Sequence, residues 1–196
     1  MPKWWPIGLA AIVALVALAI GLHTHVGGED HWTAASRFTA RVGFPFLILT
    51  YSASALARLQ PADWSNALLR NRKWWGLAFA TTHTVHLYAL VMFLRAQPEP
   101  PDYLSLSPAI FAYVLLYAMA LTSWPWAYKA LGKWWKRLHR LGIHYIWLIF
   151  AAAYLLKVFE PEQRVVGVVF GTVAFAALGL RIAAWTRAKA RRQGAA

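Results

Sequence analysis

The amino-acid sequence predicts an all-α fold, an integral membrane bundle of six transmembrane helices that forms a single domain over residues 1–196. The chain is 60% hydrophobic, well above the usual share for a soluble domain. Charged residues make up only 14% of the chain, and they lie in clusters. The apolar runs between these clusters are long enough to cross a bilayer, which takes about 20 helical residues.

Each predicted helix corresponds to one apolar run. We expect the helices at about residues 4–22, 43–57, 74–94, 108–124, 134–156 and 165–185. The first run has only Lys3 ahead of it and is too long for a cleaved secretory signal, so it is interpreted as a retained helix. Prolines, which break helices, fall in the connections at Pro61, Pro125, Pro161 and within residues 98–101.

The basic residues predict the orientation of the bundle. Lys3, residues 58–73, residues 129–140 and the tail from Arg181 together hold 15 of the 20 basic residues and one acid. The alternate connections, residues 23–42, 95–107 and 157–164, hold five basic and six acidic residues. Because cytoplasmic loops are enriched in Lys and Arg, we expect both termini on the cytoplasmic side of a bacterial-type inner membrane.

Several classes of function are excluded by what the sequence lacks. Without cysteine there are no disulfides, thiolate metal sites or thiol catalysis. There is no glycine-rich phosphate loop or dinucleotide fingerprint, and connections of at most about 20 residues are too short for a soluble domain. The net charge of +13 is attributed to the basic loops, so we expect membrane lipid rather than nucleic acid around the chain.

Four histidines in predicted helices carry the functional hypothesis. His83 and His86 lie in the third helix, and His139 and His144 lie in the fifth. Ionisable residues inside a membrane are costly and usually functional, and no Asp or Glu accompanies these histidines in their spans. Imidazoles without carboxylates suit a metal bound through nitrogen, most commonly the iron of haem.

Helix geometry predicts the depth of each histidine below the tryptophan pair that opens its helix. At a rise of about 1.5 Å per residue, His83 and His86 lie roughly 12 and 16 Å beyond that pair. His139 and His144 lie roughly 6 and 14 Å beyond theirs. We therefore expect His144 to share a haem with His83 or His86, whereas His139 would hold a second haem or orient the first.

Structural roles compete with ligation at each of these positions. A transmembrane histidine can simply form a hydrogen bond to a neighbouring helix. His23, His25 and His31 are interpreted as polar anchors at an interface. Arg72 is interpreted as a basic cytoplasmic residue that is also placed to pair with a haem propionate.

Two stretches resemble the ferric-reductase-like transmembrane family. Residues 72–88, which read Arg-Lys-Trp-Trp-Gly-Leu-Ala-Phe-Ala-Thr-Thr-His-Thr-Val-His-Leu-Tyr, are similar to its third-helix signature, a basic pair and Leu-Gly-Leu ahead of a Leu-His ligand. Residues 131–141, with a Leu-His-Arg-Leu core, are similar to its fifth-helix signature. The resemblance covers roughly residues 37–160 and is strongest to haem-binding membrane subunits of periplasmic methionine-sulfoxide reductase systems.

This resemblance implies a b-type haem held by His86 and His139. It also implies electron transfer from a cytoplasmic flavin reductase or a quinol to a periplasmic reductase subunit, with FMN and quinone as further candidate cofactors. The family's additional fifth-helix histidine falls here at Ala152. Either His144 and His83 supply a rearranged site, or the protein has lost haem.

The leading hypothesis is an electron-transfer subunit of an oxidoreductase system rather than a complete enzyme. It would hold haem b through His144 and either His83 or His86. The alternative is a haem-free membrane scaffold or assembly protein of the same fold, which the alanine at position 152 favours. A transporter that uses the histidines is disfavoured. The two predicted spans that hold the four histidines lack acidic residues, and the sequence has no detectable inverted repeat.

Overall fold

The protein is described by a computed structural model over residues 3–24 and 30–193, so His25 lies outside the described residues. These residues contain α-helices and no β-strand. The helices are α1 (Trp5–His23), α2 (His31–Leu59), α3 (Asp63–Arg70), α4 (Arg72–Ala96), α5 (Tyr103–Leu121), α6 (Pro125–Leu131), α7 (Lys133–Lys157) and α8 (Arg164–Gln193).

Six of these helices are long and apolar enough to cross a membrane, namely α1, α2, α4, α5, α7 and α8. The predicted all-α class and the predicted six candidate spans are thereby confirmed. The short helices α3 and α6 lie in two of the connections that the sequence marks as basic. Pro125 is the first residue of α6. A backbone N–H at this position has no partner within the helix, so proline, which lacks an N–H, costs no hydrogen bond there.

Helix α2 differs most from its predicted bounds, because it begins at His31 rather than near residue 43. Arg37 and Arg41 interrupt the apolar pattern of this first part, so hydropathy alone places it in a connection. The segment nevertheless buries one face, which includes Ala35 and Thr39. Burial of that face, rather than overall hydropathy, explains why the helix starts early.

In α1 and α8, large apolar side chains are exposed and small residues are buried. In α1 the buried positions include Ala10, Ala14 and Gly21, whereas Ile12 and Leu15 are exposed. Helix α8 has the same arrangement, with glycines and alanines on its buried face. This pattern is typical of helices that pack against one another in lipid, since small residues let the backbones approach closely.

The chain divides into two compact units. Unit 1 comprises residues 1–47 and 73–124, and therefore contains α1, the first part of α2, almost all of α4, and α5. Unit 2 comprises residues 48–72 and 125–196, with the rest of α2, α3, α6, α7 and α8. Within unit 2, α7 is tied to α8 by the indole N–H of Trp147, which donates to the Ala174 carbonyl at 3.0 Å.

Candidate functional site

His83 lies in the buried interior of unit 1, with only 5% of its surface exposed. Its ring packs on that of Phe79 at 4.1 Å between centroids, and its Nδ1 lies 3.2 Å from the Phe79 carbonyl oxygen. Gly43 of α2 faces the ring so closely that a Cβ there would lie 2.7 Å from His83 Nδ1. The backbone of α2 therefore encloses this imidazole directly, and only glycine fits at position 43.

His86 lies one turn further along α4 and is half-buried. Its Nδ1 is 3.1 Å from the hydroxyl oxygen of Thr39, a fully buried residue of α2. The Thr39 hydroxyl itself donates to the Ala35 carbonyl at 2.7 Å. The Thr39 hydroxyl also lies 3.1 Å from the Ser36 carbonyl oxygen, and His86 has a further backbone hydrogen-bond partner at Ser36. Because a hydroxyl has a single hydrogen, the Thr39 oxygen can accept from His86 when Nδ1 carries the ring proton.

This contact favours the tautomer of His86 that has its proton on Nδ1. With the proton on Nδ1, the lone pair of the ring lies on Nε2. Metal-binding histidines commonly have this arrangement, in which a neighbouring acceptor orients the ring through one nitrogen and the other nitrogen binds the metal. In that tautomer, Nε2 of His86 is the nitrogen that could bind a metal.

The two histidines of α4 cannot serve as the two axial ligands of one haem. Their ring centroids are 5.6 Å apart on one helix, with the planes at 74°. Axial ligands approach the iron from opposite faces of the porphyrin, and two residues one turn apart on a single helix lie on the same side of any such plane. At most one of His83 and His86 therefore binds a given haem.

His144 lies in unit 2, on α7. Its Nδ1 is 2.7 Å from the Arg140 carbonyl oxygen, which also leaves the lone pair on Nε2. Its ring meets that of Tyr51 edge-on at 5.5 Å, and Tyr51 stacks on Trp147 at 5.7 Å. The Tyr51 hydroxyl is buried and has no hydrogen-bond partner among the described residues. An acceptor on a bound group would satisfy it.

His139 and Arg72 also lie in unit 2. The His139 ring stacks on Trp135 of its own helix, at 4.1 Å between centroids. Arg72, the first residue of α4, interacts electrostatically with both His139 and Arg181. Arg72 is thus linked to His139 directly and to His144 through Arg181 and Tyr51.

Four residues that contribute to these environments are not among the site residues predicted from the sequence: Thr39, Gly43, Tyr51 and Arg181. Thr39 falls in a predicted connection, because the predicted second helix begins after it. Tyr51 lies in an apolar run without any distinguishing signal. The pairing of His144 with His83 or His86 remains a prediction from helix depth.

The long apolar helices and their small-residue packing define a multi-pass helical membrane protein. No family model and no solved structure matches the chain. Curated relatives do match it: the protein-methionine-sulfoxide reductase heme-binding subunits MsrQ of Salmonella dublin, Salmonella newport and Salmonella enteritidis are each 32% identical over 163 residues, which covers 74% of this chain and 73% of the relative. The chain belongs to the MsrQ family, so the resemblance predicted from residues 72–88 and 131–141 is confirmed.

Proposed function

We propose that this protein binds b-type haem within its membrane helices and carries electrons across the inner membrane. The donor would be a cytoplasmic flavin reductase or a quinol, and the acceptor a periplasmic reductase subunit. The observation that supports this proposal is the buried Thr39 hydroxyl, which lies 3.1 Å from His86 Nδ1 and so leaves Nε2 as the nitrogen that would bind the metal. The relatives' name, heme-binding subunit, supports the same cofactor.

We assign His86, rather than His83, as the ligand on α4. His83 is enclosed by Phe79 and by the Gly43 backbone, whereas His86 is half-buried and oriented by Thr39. His144, which has the same tautomer, is the leading candidate on α7. His139 is the candidate for a second haem, and Arg72 for contact with a propionate.

The chain's residues fit this group chemically. They supply imidazole nitrogens in apolar surroundings, and the candidate spans have few charged residues. When bound, the haem iron takes up and releases single electrons. The protein's part is to orient the imidazoles, to keep water away and to hold the group inside the membrane.

The test is spectroscopic. The full chain, expressed with ample haem and purified in detergent, should show a Soret band, and a pyridine haemochrome assay should give at least one b-type haem per chain. His86→Ala and His144→Ala should each weaken the band strongly. His83→Ala should lower stability but retain haem, and His31→Ala, at the start of α2, should leave both unchanged.

The alternative function is a haem-free membrane scaffold, and Ala152 is the residue that favours it. It predicts a colourless preparation even with added haem. It also predicts that His86→Ala and His144→Ala behave like His31→Ala. Either result would contradict the electron-transfer proposal.

A further inference from the structure

Arg181 is a half-buried cation of α8, at the end that the charge pattern predicts on the cytoplasmic side. It lies between the buried residues Ala177 and Ala184. A partly buried charge is costly unless it is paired, so such residues generally pair with another group. The partners of Arg181 therefore decide what this residue does.

The guanidinium of Arg181 contacts Tyr51 in two ways. Its Nη1 donates to the Tyr51 carbonyl oxygen at 2.8 Å, and its central carbon lies 4.4 Å from the centre of the Tyr51 ring. This single hydrogen bond leaves most of the guanidinium donors without an acceptor. The hydroxyl of Tyr51 also has no partner within the described part of the chain. Arg181 and Tyr51 therefore both have hydrogen-bond donors available for a further acceptor.

The charges around Arg181 have its own sign. Arg58 and Arg72 both interact electrostatically with it. None of these three arginines forms a salt bridge with a carboxylate of the described residues. Arg72 and Arg181 are half-buried, whereas Arg58 is exposed. Like charges repel one another, more strongly where they are partly buried, and a bound anion removes that cost.

We propose that Arg181 and the Tyr51 hydroxyl form a binding site for an oxyanion, a phosphate or carboxylate group, to which Arg58 and Arg72 add positive charge. Guanidinium groups recognise both through paired N–H donors. One source is the phosphate of an anionic phospholipid, because all three arginines belong to the basic set predicted at the cytoplasmic surface. The other is a propionate of the proposed haem, and only this second source depends on the proposed function.

Arg187 provides a matched control on the same helix. Its Nη1 also donates to a backbone carbonyl of α2, that of Leu59, at 3.2 Å. Unlike Arg181, it is exposed. Arg187→Gln therefore removes one positive charge and the same type of hydrogen bond without affecting the proposed site.

The experiment compares the unaltered chain, Arg181→Gln and Arg187→Gln in neutral detergent. Thermal unfolding is followed while phosphatidylglycerol or zwitterionic phosphatidylcholine is added, and the haem-to-protein ratio is measured on the same samples. If the oxyanion is a lipid phosphate, phosphatidylglycerol alone raises the midpoint. Arg181→Gln then needs about fivefold more of it for half the effect, whereas Arg187→Gln does not. If the oxyanion is a propionate, Arg181→Gln alone lowers the haem ratio.

The proposal is overturned if Arg181→Gln and Arg187→Gln agree in both lipid response and haem content. A colourless unaltered chain whose phosphatidylglycerol response is still lost in Arg181→Gln would refute the proposed function but support the oxyanion site. If Arg181→Gln does not fold, Arg72→Gln replaces it with the same expected outcomes. Arg181→Lys should retain the lipid response only partly, since an ammonium lacks the paired donors.

Discussion

At the scale of single residues, the groups that α2 places opposite them distinguish the two histidines of α4. His83 and His86 lie on one helix and one face, yet the first is enclosed by α2 and the second is oriented by a threonine. The difference arises from the chain opposite them, because α2 presents a glycine to one ring and a hydroxyl to the other. A residue's capacity for ligation thus depends on its neighbours more than on its position in a motif.

Replacing Thr39 tests the orientation of His86. Thr39→Val keeps the shape but removes the hydroxyl beside His86 Nδ1, so that the Ser36 backbone is the remaining hydrogen-bond partner of the ring. Loss of an orienting partner typically weakens metal affinity by about 10- to 100-fold. Haem titration and the midpoint reduction potential would both report the change. Thr39→Ser should restore both values. Thr81→Val is the control, since the Thr81 hydroxyl bonds only to the Leu77 carbonyl of its own helix. Equal behaviour of the two valine variants would contradict this role.

Gly43→Ala tests the close approach of α2 to His83. A Cβ would lie 2.7 Å from His83 Nδ1 and 2.9 Å from the Thr82 hydroxyl, so the ring or the helix must move. Overpacking of this kind typically costs about 1–3 kcal/mol, which thermal unfolding in detergent would measure. Adding His83→Ala should relieve part of the loss, because it removes one clashing group. Gly171→Ala, which meets nothing within 4 Å inside α8, should not lower stability.

At the scale of helices, packing decides where an element begins. Helix α2 continues upstream of its most apolar part because the face that carries Ala35 and Thr39 is buried. The same segment meets α1, where Gly21 lies against the Ala35 backbone. Two helices that approach this closely depend on small residues at their contact.

Gly21→Ala should destabilise the contact of α1 with α2. Its Cβ would lie 2.6 Å from the Ala35 amide nitrogen, and a backbone atom cannot rotate away. We expect a lower unfolding midpoint in detergent. Gly179→Ala is the control, since nothing lies within 4 Å of that Cβ and alanine favours a helix by about 1 kcal/mol over glycine. An unchanged midpoint for Gly21→Ala would show that the contact between α1 and α2 accommodates the added methyl group without a loss of stability.

At the scale of the whole molecule, charge predicts the orientation in the membrane. The two sets of connections differ in their basic residues by 15 to five. This asymmetry follows from the preference of Lys and Arg for the cytoplasmic side. Because both termini belong to the more basic set, we propose that they share that side.

Reporter fusions test this orientation. Green fluorescent protein fused after residue 193 should fluoresce, because it folds in the cytoplasm. Alkaline phosphatase inserted at residues 98–101, between α4 and α5, should be active, because it requires the periplasm. The reverse pattern would show that the bundle has the opposite orientation. The proposed direction of electron flow across the membrane would then be reversed as well.

The apolar runs were sufficient to predict the class, the count of spans and the approximate place of each, because each long apolar run must satisfy its backbone within itself in lipid. The family could likewise be predicted, since its signatures are local stretches around His86 and His139. The start of α2 could not be predicted from hydropathy, because Arg37 and Arg41 mask a face that only packing buries.

The sequence by itself determined that this is a six-span, histidine-bearing membrane protein of the MsrQ family, since hydropathy, charge and short motifs are properties of neighbouring residues. Only the tertiary structure decided that Thr39 orients His86, that Gly43 encloses His83 and that Arg181 lies on Tyr51. These contacts join residues 47 and 130 positions apart in the first and last cases. A local sequence pattern cannot predict contacts over such separations, because only the packing of the helices brings these residues together.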